Sequence, residues 1–129
     1  FIGGYFSLNL SIELLLGYIF APITWLMGIP WSEALIAGEL LGIKTTLNEF
    51  VAYPALANLE DGVLSDRSKL ITFYSLCGFA NFSSVGILIS GIGAMAPERK
   101  DDLIKVSFKA LIAATLASCM TGLVVGIFI

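Results

Sequence analysis

Gly42-Ile-Lys-Thr-Thr-Leu-Asn-Glu-Phe-Val-Ala-Tyr53 is the stretch that decides the fold, because it sets a lysine, an asparagine and a glutamate inside an otherwise apolar run over residues 34–59. These residues are Lys44, Asn48 and Glu49. In water such a pattern is ordinary. At membrane depth a carboxylate is stable only where it is paired or faces a water-filled cavity, so an ionisable residue there is a candidate for function. The first question is therefore whether the chain lies in a membrane.

The composition indicates a membrane protein. Of the 129 residues, 57% are hydrophobic and 13% are charged, and the mean hydropathy is +0.92. Soluble domains have roughly 45–50% apolar and about 25% charged residues. Residues 110–129 carry no charge and would cover about 30 Å as a helix, the thickness of the hydrocarbon core. A second uncharged run, 70–96, is long enough to span with some tilt. The net charge of −3 is small and of mixed sign, so no nucleic-acid partner is expected.

The residue types present argue against an enzyme. The chain has no histidine, which removes the Ser-His-Asp triad, the HExxH zinc site and most general-base catalysis near neutral pH. Cys77 and Cys119 lie in apolar runs without a CxxC pattern, so we expect packed thiols rather than a disulfide or a metal site. The chain opens at Phe1 rather than at Met, in the middle of an apolar pattern, so we expect it to be a piece of a longer protein.

The apolar run around the motif has two interpretations. One is a single transmembrane helix that carries Glu39, Lys44 and Glu49. The other is a re-entrant hairpin of two arms, about 12–15 residues each, with a turn near Asn48–Phe50. A continuous helix would point some charges at lipid, whereas a hairpin can place them against protein or water. The hairpin is favoured, and Pro54 fits a second arm that restarts there.

The remaining pattern predicts three further helical segments. Apolar residues at helical spacing, with Tyr18 and Trp25 among them, indicate a helix before the motif. The pattern allows this helix either to span the membrane or to lie at the headgroup level, and the aromatic residues favour the headgroup level. A polar loop follows the motif, and Ser65 or Asp66 can cap the helix after it. That helix is interrupted near its centre and ends before Pro97. A final apolar helix follows.

The last helix carries two further signals. Ser118, Gly122 and Gly126 recur every four residues, and this small-residue face is expected to pack within the chain rather than between subunits. Basic residues near the start of the helix outnumber those of the earlier loop, so the positive-inside rule predicts a cytoplasmic start and an external C-terminus. The two basic sets are Arg99, Lys100, Lys105 and Lys109, and Arg67 and Lys69.

Two polar clusters stand at membrane depth. One is Asn48–Glu49, and the other comprises Asn81, Ser83 and Ser84. An Asn or Ser in a membrane helix often only bonds a neighbouring helix. A hairpin tip and an interrupted helix that meet at the midplane, however, are the recurring binding architecture of secondary transporters. The two clusters together therefore indicate a binding site.

Three segments carry a resemblance to the concentrative nucleoside transporter family. The opening stretch resembles the family signature G-x-K-x-x-x-N-E-F-V-A followed by an aromatic residue. Two other segments are similar to neighbouring core segments: Gly17-Tyr-Ile-Phe-Ala-Pro-Ile-Thr-Trp-Leu-Met-Gly28 and Cys77-Gly-Phe-Ala-Asn-Phe-Ser-Ser-Val-Gly-Ile87. Members of this family are symporters that import nucleosides with a sodium or proton gradient. The resemblance therefore implies a multi-pass protein of the plasma (inner) membrane that is not an enzyme.

The resemblance also implies a fold. It is an all-α membrane protein, of which residues 1–129 would form the C-terminal half of the transporter core, with the second inverted repeat at 7–129. The expected parts are an interfacial helix at 7–28, a re-entrant helical hairpin at 32–60, a broken transmembrane helix at 66–97 and a transmembrane helix at 100–128. The family is trimeric, so a homotrimer is expected.

Site residues follow from the same resemblance. Glu49 matches the carboxylate that binds the ribose, and Asn81 and Ser84 match residues that bind ribose hydroxyls. Phe79 matches an aromatic residue of the pocket. No metal ligand is expected in this chain, because the coupling ion, Na+ or H+, and the base-reading residues belong to the missing N-terminal half. The residues expected to support the turn are Asn48 and Lys44.

A second class of function stays open. In a non-transporting integral-membrane subunit, the same polar residues would only lock helix packing. That interpretation predicts that Glu49→Gln changes stability without changing ligand binding.

Overall fold

The computed structural model describes residues 12–129, and within this range the chain forms helices and no strands. The first residues of the predicted interfacial helix, 7–11, lie outside the described residues. The helices are α1 (Ile12–Leu26), α2 (Trp31–Thr46), α3 (Glu49–Ala57), α4 (Asp66–Leu76), α5 (Phe82–Met95) and α6 (Lys100–Phe128), with a short 3-10 turn, Pro97–Arg99, before α6.

Helices α1 and α2 share the most extensive contact and run antiparallel. Gly28, with a φ of +94°, turns the chain between them in a conformation that favours glycine. The two backbones approach closely, because a methyl group on Gly38 would come within 2.6 Å of the carbonyl oxygen of Gly17. Thr24 adds a buried hydrogen bond from its hydroxyl to the carbonyl oxygen of Ala34, at 2.8 Å. The motif therefore begins in a helix, α2, that is packed tightly against α1.

The apolar run around the motif forms two helices rather than one, with a turn at Leu47 and Asn48. Asn48 has an extended backbone, and its Oδ1 accepts a hydrogen bond from Val51 N at 3.1 Å, which makes it the N-cap of α3. Helix α3 therefore begins at Glu49, and Pro54 lies inside it. The prediction that the second arm restarts at Pro54 is wrong, because the Asn48 cap starts the helix earlier.

The start of α2 and the segment that follows α3 lie at the same end of the molecule. Glu33, in the first turn of α2, accepts hydrogen bonds from Ser65 N (3.2 Å) and Ser65 Oγ (3.0 Å). Ser65 in turn caps α4 by accepting from Ser68 N at 3.3 Å, so it, and not Asp66, is the cap. At 1.5 Å per residue α2 is about 24 Å long and α3 about 14 Å. Each is shorter than the hydrocarbon core of a bilayer.

Helix α6 runs back beside α4, and residues 77–81 separate α4 from α5. Three close approaches between α6 and the stretch 71–78 leave no room for larger side chains: Gly78 against Ser118, Ser75 against Gly122, and Ile71 against Gly126. The prediction that the small-residue face of α6 packs within the chain is confirmed. Among the described residues, one helical stretch is long and apolar enough to cross a membrane, Pro97–Phe128.

Arg67 joins three elements at one end of the molecule. Its guanidinium donates to the carbonyl oxygens of Gly28 (2.5 Å) and Gly126 (2.8 Å). Both carbonyls lie at the C-terminal ends of helices, where unpaired carbonyls and the helix dipole favour a cation. The end of α1, the start of α4 and the end of α6 therefore meet at one side chain.

The two cysteines are free and lie in different surroundings. Cys119 is buried, as predicted. Cys77 is exposed in this chain, so its prediction as a packed thiol is wrong. The reason is that α4 ends at Leu76, and Cys77 lies at the edge of the interruption beside the hydroxyl of Tyr53, 2.9 Å from its Sγ.

Candidate functional site

The turn between α2 and α3 meets the interruption between α4 and α5. Asn81 Nδ2 donates a hydrogen bond to Glu49 Oε2 at 3.0 Å. Ser83 Oγ donates to the carbonyl oxygen of Leu47 at 3.2 Å. The two polar clusters of the sequence, 32 or more residues apart, are thus joined directly by hydrogen bonds in the structure.

Asn81 is held at both ends of its amide group. It caps α5 from an extended backbone, and its Oδ1 accepts from Ser84 N and from Ser84 Oγ, each at 2.7 Å. Asn81 is 1% exposed and Ser84 is 4% exposed. Because the oxygen of the amide is used for the cap, its nitrogen is left to face Glu49. A side chain fixed in this way would need no further ordering to bind a ligand.

The Glu49 carboxylate lies beside two helix N-termini. Glu49 is the first residue of α3, and Asn81 is the N-cap of α5. A helix N-terminus carries a partial positive charge of roughly half an elementary charge. Such a partial charge favours a carboxylate, and the half-buried Glu49 side chain also accepts one amide hydrogen bond.

A second contact continues the junction along α3. Tyr53 lies one helical turn after Glu49, and its hydroxyl donates to Cys77 Sγ at 2.9 Å. The Tyr53 ring packs against Phe73, with ring centroids 5.0 Å apart. This contact was not predicted from the sequence. Its one signal is the spacing of four residues that puts Tyr53 and Glu49 on the same face of a helix.

Phe79 lies beside the junction and is 64% exposed. Together with Asn81 and Ser84 it lines one part of a cavity of about 220 Å³ between α5 and α6, whose remaining lining is mainly apolar. The four residues predicted to bind substrate therefore lie at or beside one junction: Glu49 and Asn81 bonded to each other, Ser84 bonded to Asn81, and Phe79 next to them.

The two residues predicted to support the turn lie on different sides of it. Asn48 caps α3 on the side of Glu49. Lys44 is 0% exposed, and its Nζ lies 3.4 Å from Ser118 Oγ on α6. Within residues 12–129, no group of three or more His, Cys, Asp or Glu residues is placed to hold a metal ion.

Comparison with known proteins gives a consistent result across the whole chain. A family model described as "Na+ dependent nucleoside transporter C-terminus" matches residues 1–126. The nucleoside permease NupC of Helicobacter pylori is 44% identical over 125 residues, which are 94% of this chain and 30% of that protein. Solute carrier family 28 member 3 of Homo sapiens is 42% identical over 133 residues, which are 92% of this chain and 19% of that protein.

Solved structures agree with the sequence comparisons. The structure of CNTnw in an inward-facing substrate-bound state matches with a TM-score of 0.89 at 40% identity, covering 98% of this chain and 32% of that one. A CNTnw variant in an intermediate state matches with a TM-score of 0.92 at 41% identity, covering 99% of this chain and 32% of that one. The chain thus spans about a third of the length of NupC and CNTnw.

Proposed function

Because this chain belongs to the family described as the Na+ dependent nucleoside transporter C-terminus, we propose that it forms the C-terminal half of the core of a cation-coupled nucleoside symporter. The family is one of membrane transporters and not of enzymes. In this proposal the chain supplies the part of the substrate site that binds the ribose. The observation that carries it is the hydrogen bond between Glu49 and Asn81, which joins the two polar clusters at one point.

The chemistry of the junction suits vicinal hydroxyls. A carboxylate has two oxygens that accept hydrogen bonds at about four positions, and Asn81 uses one of them on Oε2 of Glu49. The remaining positions can accept the two hydroxyl protons of a ribose. Ser84 Oγ gives its proton to Asn81 Oδ1 and keeps its lone pairs for a donor from the substrate. The exposed ring of Phe79 would flank the bound sugar or base.

The short helices support a re-entrant arrangement. We infer that α2 and α3 are the two arms of a re-entrant hairpin with its tip at residues 47–49, because neither is long enough to span and the chain returns to its starting end at Ser65. In the same inference α4 and α5 are the halves of a broken transmembrane helix and α6 is the last span. Helix α1 would lie at the interface, and the four parts would form the second of two inverted repeats.

We also propose how this chain relates to the rest of the transporter and to the membrane. The coupling ion, Na+ or H+, and the residues that read the base would lie in the N-terminal half of the same protein. The assembly would be a homotrimer in the plasma (inner) membrane. The basic residues at the start of α6 would face the cytoplasm and the C-terminus the outside.

Uptake of radiolabelled uridine by the full-length transporter tests the site. Glu49→Gln removes the charge that accepts the hydroxyls, and Asn81→Ala removes both the amide donor and the cap of α5. Each leaves buried polar groups unpaired, at about 1–3 kcal/mol, so we expect uptake efficiency to fall about 5- to 150-fold.

Matched controls are Glu60→Gln and Asn58→Ala, which change the same residue types at exposed positions outside the junction. Both should retain wild-type uptake. Wild-type uptake by both Glu49→Gln and Asn81→Ala would contradict the assignment of these residues to the substrate site.

One observation favours the alternative function, a non-transporting membrane subunit. Both polar atoms of the Asn81 side chain, Oδ1 and Nδ2, already have partners within the chain. Thermal unfolding with added nucleosides separates the two functions, because a ligand stabilises only a protein that binds it. For the transporter we expect uridine at millimolar concentration to raise the melting temperature of the wild type but not of Glu49→Gln. No shift in the wild type would favour the packing role.

A further inference from the structure

Lys44 carries a charge that the proposed binding chemistry does not use. It has the largest side chain among the fully buried residues of the described part of the chain, and it is 0% exposed. An ammonium group buried in this way lowers stability unless nearby groups compensate its charge. A methionine or leucine would fill the same space without that cost. The groups around Lys44 therefore indicate what the charge does.

Three features of the surroundings favour a positive charge at this point. Lys44 lies in the last turn of α2, where the helix dipole and unpaired carbonyls attract a cation. Its Nζ donates to Ser118 Oγ at 3.4 Å. Lys44 and Glu49 carry opposite charges and lie five residues apart on the two sides of a two-residue turn, so they attract each other. Among side chains that the structure describes, the ion pairs within 4.0 Å are Lys69–Asp61 and Arg99–Asp102, so the attraction between Lys44 and Glu49 acts over a longer distance.

The position of Lys44 links the three elements that build the site. Lys44 and Glu49 stand on the two sides of the turn at Leu47 and Asn48, one against α6 and the other against Asn81. Ser118, the partner of Lys44, lies directly against Gly78 in the interruption, three residues before Asn81. The ammonium therefore sits behind the turn where α2, α6 and the interruption meet.

From this arrangement we propose that Lys44 is a positioning residue for substrate binding. Its ammonium ties the turn to α6 through Ser118 and balances the charge of Glu49, so that the carboxylate stays oriented toward Asn81 and the substrate. Lys44 itself does not contact the substrate. The inference rests on the proposed function, because it assigns Lys44 a role at the same site.

Uridine uptake by the full-length transporter tests this role through KM. Lys44→Met keeps the length of the side chain and removes the charge, and we expect KM to rise at least tenfold while the protein still reaches the membrane. The matched control is Lys69→Met, which removes a partly exposed lysine of α4 that pairs with the exposed Asp61 and should leave KM unchanged. An unchanged KM in Lys44→Met, with only Vmax or protein amount reduced, overturns the proposal.

A double-mutant cycle tests whether Lys44 acts through Glu49. Lys44→Met and Glu49→Gln should each lower the melting temperature of the substrate-free protein, because each leaves one charge without its counterpart. The double variant should lose no more than the larger of the two single losses. Additive losses would show that the two charges are independent, and they would overturn the proposal.

A second variant covers the case in which Lys44→Met does not fold. Ser118→Ala keeps the charge and removes the hydroxyl that Lys44 bonds, and we expect KM to rise roughly threefold. An unchanged KM in that variant also overturns the proposal. If the wild type itself takes up no nucleoside, the proposed function fails. If the wild type transports uridine and the Lys44 variants keep its KM, only this inference fails.

Discussion

Asn48 and Asn81 perform the same task at two places in the chain. Each has an extended backbone, and each accepts a hydrogen bond on Oδ1 from the backbone N–H three residues later. Each therefore starts a short helix where an apolar run would otherwise continue. The two helix starts face each other across the bond between Glu49 and Asn81.

The cap at Asn48 makes a prediction about stability. Asn48→Ala removes the acceptor for Val51 N, and we expect the free energy of unfolding to fall by about 1 kcal/mol. Asn48→Asp keeps an acceptor and adds a negative charge near a helix N-terminus, so its stability should stay close to that of the wild type. Unfolding of the purified transporter in detergent measures both. Equal stability of Asn48→Ala and Asn48→Asp would contradict the capping role.

At the scale of the elements, the packing of α4 against α6 depends on glycine. A methyl group on Gly122 would come within 2.5 Å of the carbonyl oxygen of Ile71, which belongs to the α4 backbone and cannot move aside. The same methyl group on Gly93 would meet only the flexible side chain of Lys100, at 3.5 Å. Two buried glycines thus differ in what surrounds them.

This difference gives a paired prediction. Gly122→Ala should destabilise the protein by about 1–3 kcal/mol, because α6 has to shift away from α4. Gly93→Ala should be neutral or slightly stabilising, because alanine favours a helix over glycine. The melting temperatures of the two variants in detergent check this. A Gly122→Ala protein as stable as Gly93→Ala would mean that the contact between α4 and α6 is looser than described.

The sequence predicts these elements where the signal is local. Asn48 and Glu49 mark the turn because polar residues interrupt an apolar run, and the spacing of Ser118, Gly122 and Gly126 marks a packing face. Pro54 misled because it is the sixth residue of α3, inside the helix, although proline is normally tolerated only in the first helical turn.

Contacts between distant residues could not be predicted in the same way. Lys44 and Ser118 are 74 residues apart, and no periodic pattern connects them. Arg67 reads as an ordinary loop residue in the sequence, because its partners are backbone carbonyls, which every residue has. The bond between Glu49 and Asn81 was predicted in part. The resemblance assigned the two residues to one site, and the structure shows that they are hydrogen-bonded to each other.

At one end of the molecule, hydrogen bonds from side chains join the helices to each other. The candidate site lies at the other end, where α2 and α4 end. Arg67 joins the end of α1 to the end of α6, and Glu33 joins the start of α2 to Ser65. Helix α4, about 16 Å long, separates this end from Asn81. Changes at Arg67 should therefore affect the stability of the fold more than the binding of substrate.

Arg67→Lys tests this separation. A lysine keeps the charge but lacks the planar fork that reaches two carbonyl oxygens at once, so we expect a lower melting temperature. The KM for uridine should stay within about twofold of the wild type, because no contact at the junction changes; twofold corresponds to about 0.4 kcal/mol. A large increase in KM would mean that the two ends of the molecule are coupled.

The bond between Lys44 and Ser118 also has a consequence for how the protein is made. Ser118 leaves the ribosome 74 residues after Lys44, which is about 4–15 s at the usual rate of synthesis. During that interval the newly made ammonium has no hydroxyl from α6 beside it, and water has to solvate it instead. We therefore expect α2 to reach its final depth only after α6 has been synthesised, so that these two helices enter the bilayer together.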